Sequence, residues 1–295
     1  MTAAPAAPTA ARTDGRVWFI TGAGRGLGRA FTEAALAAGD RVVAAARTPA
    51  ALQPLADEHD DRLLVLPLDV TDRAAVHTAV DTAVRHFGRL DIVVNNAGFL
   101  AMGMIEEFDE VLARAQMDTN FFGALWVSQA VLPHLRAQGS GHIVQISSIG
   151  ALGGFALTGM YSASKFALEG MSEALAAEAA AFGVKLTIVE PGGYWTDLYT
   201  TGLRTTRPLD AYAPLRAELE KQFAEASVDS LPHLAAEALM KLVDSEDPPL
   251  RLLLGGLAYD TAFDISRKRM DTWAAWEDVS RAAEQAAEAP EGYGS

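Results

Sequence analysis

From residue 16 to about residue 260 the chain alternates short apolar runs with longer stretches in which apolar positions recur every three or four residues. The short runs fall at 17–21, 41–46, 63–66, 92–95, 142–147, 185–190 and 250–254, and the longer ones at 27–38, 74–87, 106–138, 161–182 and 231–243. Strand-length runs alternating with helix-length runs predict parallel strands joined by crossover helices. The expected fold is therefore α/β, a single doubly wound parallel β-sheet with helices on both faces. No internal repeat or interior linker interrupts it.

Two stretches depart from the alternation. Residues 192–230 follow a strand, contain Pro208 and Pro214 and mix aromatics with charges, which predicts a mobile lid over a ligand site. After Asp260 the chain carries Phe263, Trp273, Trp276 and Val279, the last three spaced i, i+3, i+6 as on one helical face. That face is expected to pack on the domain or on a partner subunit. The organisation read from these patterns is a disordered tail at 1–14, one large domain at 15–260 with its lid at 192–230, and a C-terminal helical extension at 261–295.

Composition narrows the function. The formal net charge of −14 repels nucleic acid and anionic lipid, so neither is an expected partner. The absence of cysteine excludes disulfides, thiolate catalysis and thiolate zinc sites, and the six scattered histidines show no HExxH-like spacing, so no metal is expected. The first 14 residues lack the apolar core and basic start of a secretory signal. No apolar run approaches the roughly 20 residues of a membrane span, and the protein is expected to be cytoplasmic.

The first candidate for chemistry is Thr21-Gly22-Ala23-Gly24-Arg25-Gly26-Leu27-Gly28, directly after the first strand and opening the first helix. Glycines at 22, 26 and 28 let the backbone approach a pyrophosphate, whose charge is stabilised by amides and by the helix N-terminus. A dinucleotide fingerprint usually places a carboxylate at the end of the second strand, to bond the adenosine ribose. Here that strand ends Ala44-Ala45-Ala46-Arg47. A guanidinium there can bind a 2′-phosphate, with Arg25 as a second positive charge, so NADP(H) is the expected cofactor.

The second candidate is Tyr161-Ser162-Ala163-Ser164-Lys165, whose i, i+4 spacing sets Tyr161 and Lys165 on one helical face. An ammonium beside a phenol favours the phenolate, so the pair can act as a general acid/base. Ser148, thirteen positions before Tyr161, ends one strand, and Asn95-Asn96-Ala97-Gly98 ends the one before it. Both lie at the carboxyl edge, where doubly wound sheets bind ligands.

In this combination the sequence resembles the short-chain dehydrogenase/reductase family over about residues 15–260. The matches are TGxxxGxG at Thr21 to Gly28, Asp69-Val70, Asn95 to Gly98, Asn120, Ser148, Tyr161 with Lys165, and Pro191-Gly192 with Thr196. The resemblance implies a Rossmann-type domain and an enzyme that transfers hydride between a nicotinamide and a carbonyl or alcohol. By the same resemblance Asp69 and Val70 hold the adenine, and Asn96, Ala97 and Gly98 line the cofactor. Thr196 bonds the carboxamide. Tyr161 exchanges the proton, Lys165 binds the ribose and lowers the Tyr161 pKa, Ser148 orients the carbonyl, and Asn120 positions a water. Ser147 is the rival to Ser148, with core packing as its other reading, and Asn120 has the alternative of a buried amide completing a local kink.

Met102, Met104, Phe155, Leu157, Tyr194, Trp195 and Tyr199 lie near the expected site, with Tyr194 and Trp195 expected to bind the substrate, a bulky apolar small-molecule carbonyl compound or alcohol. Core or lid packing is the other reading for most of them. The family resemblance implies a homodimer or homotetramer. A non-catalytic NADP-binding sensor or scaffold, and an epimerase or dehydratase using the same residues, stay open as alternatives.

Overall fold

Strand β1, Val17–Thr21, is apolar up to its last residue and buried at every position, because both faces of the sheet around it are covered. Its side chains alternate: Trp18 and Ile20 point into one apolar layer, Val17 and Phe19 into the other. The computed structural model, which describes residues 15–59, 61–226, 229–287 and 292, builds the rest of the sheet in the same way. The segment 1–14, read above as a disordered tail, lies outside the described residues.

The further strands are β2 (Arg41–Ala46), β3 (Leu63–Pro67), β4 (Ile92–Asn95), β5 (Gly141–Ile146), β6 (Val184–Pro191) and β7 (Arg251–Leu254). They form a seven-stranded sheet in the order β7-β6-β5-β4-β1-β2-β3, and every pairing is parallel. On one face lie α1 (Gly26–Ala37) and, after the lid, Pro232–Val243; on the other lie α2 (Arg73–Phe87) and two longer helices described next. Each layer is a closed apolar cluster, and removing a fully buried ring such as Phe19 costs about 3–5 kcal/mol.

The stretch 106–138, read as one helix, starts in the short turn Ile105–Glu107 and is helical in three pieces only from Glu110. Helix α3 (Glu110–Met117) is N-capped by Asp109, whose carboxylate accepts from Leu112 N at 2.7 Å. A wide π-turn, Asp118–Phe122, follows, and α4 (Gly123–Gln138) completes the run. The break has a tertiary cause: Asn120 turns its amide out of the helix to accept from Phe99 N and donate to Phe99 O, both at 3.1 Å. Helix α5 (Gly159–Ala180) packs beside α4.

The segment 192–230 has regular structure that prolines and mixed polarity concealed. It includes α6 (Ala213–Ala226) and three short strands, Leu203–Thr205 paired with Leu100–Met102, and Gly193–Tyr194 paired with Asp229–Ser230. Helix α7 is Pro232–Val243 and α8 is Gly256–Ala275, so the boundary expected at 260 falls inside a helix. Trp276, with φ −114° and ψ 17°, breaks that helix before α9 (Glu277–Ala282). Trp273, Trp276 and Val279 therefore do not share a continuous helical face, and all three are more than 60% exposed on this chain. No described helix is long and apolar enough to cross a membrane.

Strand order reverses at β1, which is followed by β2 on one side and flanked by β4 on the other. The crevice outside the carboxyl ends of β1 and β4 is the switch point where such sheets bind ligands.

Candidate active site

At the switch point the loop from Thr21 to Gly28 is tied to the end of β4. Thr21 Oγ1 accepts from Asn96 N at 3.0 Å and from Ala97 N at 3.1 Å, and Asn96 Nδ2 donates to Thr21 O at 2.9 Å. Gly22 has φ +65°, and a Cβ on Gly28 would stand 2.4 Å from Gly22 O and 2.5 Å from Asn96 Nδ2. Only glycine allows that approach. Leu27 packs from the same turn against the apolar layer. The cap residue of α1, Arg25, makes no side-chain capping bond, and no acidic residue sits in the first turn. The first-turn amides therefore present a positive end suited to an anion, which is how the residues here fit a pyrophosphate.

Around this cradle, a Cβ on Gly24 would meet Ala46 at 3.4 Å, and one on Gly26 would meet Thr196 at 3.1 Å, so the loop touches both the end of β2 and the start of the 192–230 segment. Arg47, next to Ala46, is exposed, and the exposed Arg25 donates to Thr201 of the lid. Asp69 is exposed and closes a turn by accepting from Thr71 N at 3.0 Å and Thr71 Oγ1 at 2.8 Å. Val70 is buried against the start of α4, close enough that a Cβ on Gly123 would meet it at 2.6 Å. Gly98 lies under Asn120, and Asn95 bonds Ser128 inside the sheet layer. Pro191 ends β6, Gly192 N donates to Leu254 O at 3.0 Å, and Thr196 caps the turn Asp197–Tyr199.

Across the crevice, α5 brings Tyr161 and Lys165 to the end of β5. Lys165 is buried and its Nζ donates to Ile146 O at 2.7 Å, lying 5.8 Å from the centroid of the Tyr161 ring. The two neighbouring serines part ways. Ser147 Oγ donates to the buried Glu169 at 2.5 Å, whereas Ser148 hydrogen-bonds the Tyr161 hydroxyl and accepts from Gly150 N at 3.0 Å. The Asn120 side chain is fully engaged by Phe99 and by Ser164, to which it donates at 3.2 Å, so the amide completes the kink.

Burial dominates the electrostatics. Although Tyr161 is only half-buried as a residue, desolvation pushes its phenol up to about 12; the Ser148 bond opposes this, and Tyr199 adds to it. Desolvation pulls Lys165 down to about 8, opposed by the Glu169 charge. Burial, the Ser148 bond and Tyr199 are the groups that move the Tyr161 phenol in the protein without cofactor, and burial is the largest. The phenol stays protonated at neutral pH.

The substrate-side residues divide. Tyr194 is 7% exposed and belongs to the apolar layer beneath α7. Trp195 is 64% exposed and lines an open groove of about 500 Å³ with Gly26, Thr196 and His233. Met104 and Leu157 are buried, Met102 and Phe155 half-buried, and Tyr199 stands open beside Tyr161. Leu157 has φ +70°, and its carbonyl accepts from Gly103 N at 2.8 Å.

Sequence reasoning missed two sets of residues. Glu107 has no exposed side-chain surface and binds Arg216 of α6. Glu169 and Glu190 meet on Arg251. The only sequence signal was Glu169 four residues after Lys165; the rest are distant in the chain.

The family model for short chain dehydrogenase matches residues 16–206. Oxidoreductase BOA17 of Botryotinia fuckeliana is 39% identical over 272 residues, 91% of this chain and 99% of that protein. A short-chain dehydrogenase from Streptomyces avermitilis superposes with a TM-score of 0.87 at 38% identity, covering 92% of this chain and all of the other. The 3-ketoacyl-(acyl-carrier-protein) reductase of Brucella melitensis complexed with NADH gives a TM-score of 0.71 at 25% identity, over 82% of this chain and 98% of the other.

Proposed function

The chain belongs to the short-chain dehydrogenase family and is an oxidoreductase, and from that premise we propose that it interconverts a carbonyl and an alcohol with NADP(H) as cofactor, Tyr161 exchanging the proton. The observation that carries this reading is the convergence of Ser148 and Lys165 on Tyr161 across the switch-point crevice from the glycine loop. The bound cofactor supplies or accepts the hydride.

The chain's own residues do the rest. The loop from Thr21 to Gly28, with Asn96, Ala97 and Gly98 beside it, holds the pyrophosphate. Asp69 and Val70 flank the adenine, while Pro191, Gly192 and Thr196 hold the nicotinamide end. Arg47 and Arg25 receive the 2′-phosphate, which favours NADPH over NADH. Ser148 orients the carbonyl oxygen toward Tyr161. The phenol, protonated at neutral pH, donates to that oxygen as the alcohol forms and recovers the proton in the reverse direction. Lys165 anchors the ribose.

Trp195 and Tyr199 offer open aromatic surface to an apolar substrate. The exposed Trp273, Trp276 and Val279 support assembly as a homodimer or homotetramer. The test is oxidation of NADPH followed optically with a panel of apolar ketones and aldehydes. Turnover of at least one, faster than with charged analogues, is expected. Tight NADPH binding with no turnover of any carbonyl would overturn the reading in favour of a cofactor-binding protein.

A further inference from the structure

Beneath the active site lies a group of charges that the chemistry above does not use. Glu169 sits one helical turn after Lys165 on α5 and is 5% exposed, and Glu190, near the end of β6, is 1% exposed. Arg251, the first residue of β7, donates to Glu169 and to Glu190, each at 2.5 Å, and to the surface residue Glu173 at 2.8 Å. The other oxygen of Glu169 accepts from Ser147 Oγ at 2.5 Å. Ser147 stands between Ile146, whose carbonyl holds Lys165, and Ser148, which holds Tyr161. The group thus touches the backbone that positions both catalytic partners.

Its charges do not balance internally. Two buried carboxylates face one guanidinium, and that guanidinium is shared with a third carboxylate. Buried carboxylates call for compensation by a cation or by a proton. The cation at hand is Lys165, itself buried and next along the same helical face.

We propose that Glu169 and Glu190, gathered on Arg251, act as positioning residues that hold Lys165 in its ammonium form and so set the upper pH limit of turnover. The proposal rests on the reading of Lys165 as part of the catalytic set. Glu169 is faced by Ser147 from β5, by Lys165 and Glu173 along α5, by Glu190 from β6 and by Arg251 from β7. Lys165 is faced by the Ile146 carbonyl and the Tyr161 ring as well. Burial and the neighbouring Glu169 charge push Glu190 up to about 7 against the pull of Arg251. When ionised, Glu190 adds its charge to that of Glu169, which opposes the deprotonation of Lys165.

The test is carbon-13 NMR of the full-length, cofactor-free protein labelled at lysine Cε, with the Lys165 signal assigned through Lys165→Arg and the kcat/KM profile measured in parallel. In the unaltered protein Lys165 should titrate near 8. Glu169→Gln removes the charge while keeping an acceptor for Ser147, and should lower that midpoint and the alkaline limb of carbonyl reduction together by about one pH unit. Glu190→Gln should move both in the same direction by less, and also serves if Glu169→Gln fails to fold. Glu169→Asp restores the charge and should return Lys165 toward its original midpoint. An unchanged Lys165 midpoint in the two glutamine variants overturns the proposal even where activity falls, since lost packing alone would lower the rate without moving the titration. A shifted midpoint in a protein that turns over no carbonyl supports the charge coupling and overturns the catalytic reading instead.

Discussion

Arg216 of α6 closes on Glu107, with Nη2 2.7 Å from Oε1, although the two are more than one hundred residues apart. Glu107 also accepts from Met104 N at 2.9 Å, Thr206 Oγ1 at 2.7 Å and Leu209 N at 3.0 Å. One buried carboxylate thus ties the middle of the 192–230 segment to the loop after β4.

A latch of this kind restricts any lid motion to the part before Leu203. Glu107→Gln should speed hydrogen exchange over 203–216 and alter KM for bulky substrates more than kcat. Arg216 holds the carboxyl down to about 2. A group whose folded pKa is depressed contributes fully above its ordinary value of 4.5 and loses that contribution as pH falls toward 2. Exchange over 203–216 should therefore ignore pH between 6 and 8, after correction for intrinsic rates, and accelerate in acid. Equal protection in Glu107→Gln and the unaltered protein would show that the latch does not hold the lid.

Tyr161→Phe keeps the ring packed beside Gly150 and removes the proton donor. Carbonyl reduction should fall at least about 100-fold while NADPH affinity changes little. Single-turnover kinetics with saturating cofactor measure this, and activity within a few-fold of the original would displace Tyr161 from its role.

Cofactor choice depends on the end of β2. Charge-assisted bonds from Arg47 and Arg25 are worth about 1.5–3 kcal/mol, which corresponds to a roughly 10- to 100-fold preference for NADPH in kcat/KM. Arg47→Ala should erase most of it, and Ala46→Asp should reverse it. Because Ala46 is 6% exposed and faces Gly24, the Asp variant needs a Tm measured with and without cofactor. An NADH preference in the unaltered protein would make Arg47 a surface charge only.

Acid stability should depend on His142. Thr187 Oγ1 donates to Pro249 O at 2.7 Å, so the 3.0 Å contact from His142 Nε2 has the imidazole as donor. Burial, aided by Lys185, pulls the imidazole down to about 4. The unfolded chain takes up the proton first, so stability is complete above pH 6.5 and declines by about 3 kcal/mol toward pH 4. His142→Gln retains a donor and should flatten the Tm profile across that window; an unaltered slope would assign the acid loss to other groups.

The seven strands of the main sheet were legible to within about one residue, since a strand buried on both faces leaves a continuous apolar run whose ends are cut by polar or glycine residues. The glycine loop and the pairing of Tyr161 with Lys165 were legible too, because each depends on residues close in the chain. Longer-range contacts decided the rest. The π-turn at Asn120 forms because Phe99 captures its amide, and the lid acquires order because Glu107 gathers donors from beyond Thr206. Tyr194 enters the core because α7 packs over it. The thirteen-residue offset from Tyr161 singled out Ser148 over Ser147, but the partners of the two depend on the position of α5, which gives one to Glu169 and the other to Tyr161. Local sequence sets periodicity and turn conformation, whereas desolvation and charge balance depend on which distant segments enclose a group, and those the sheet order alone brings together.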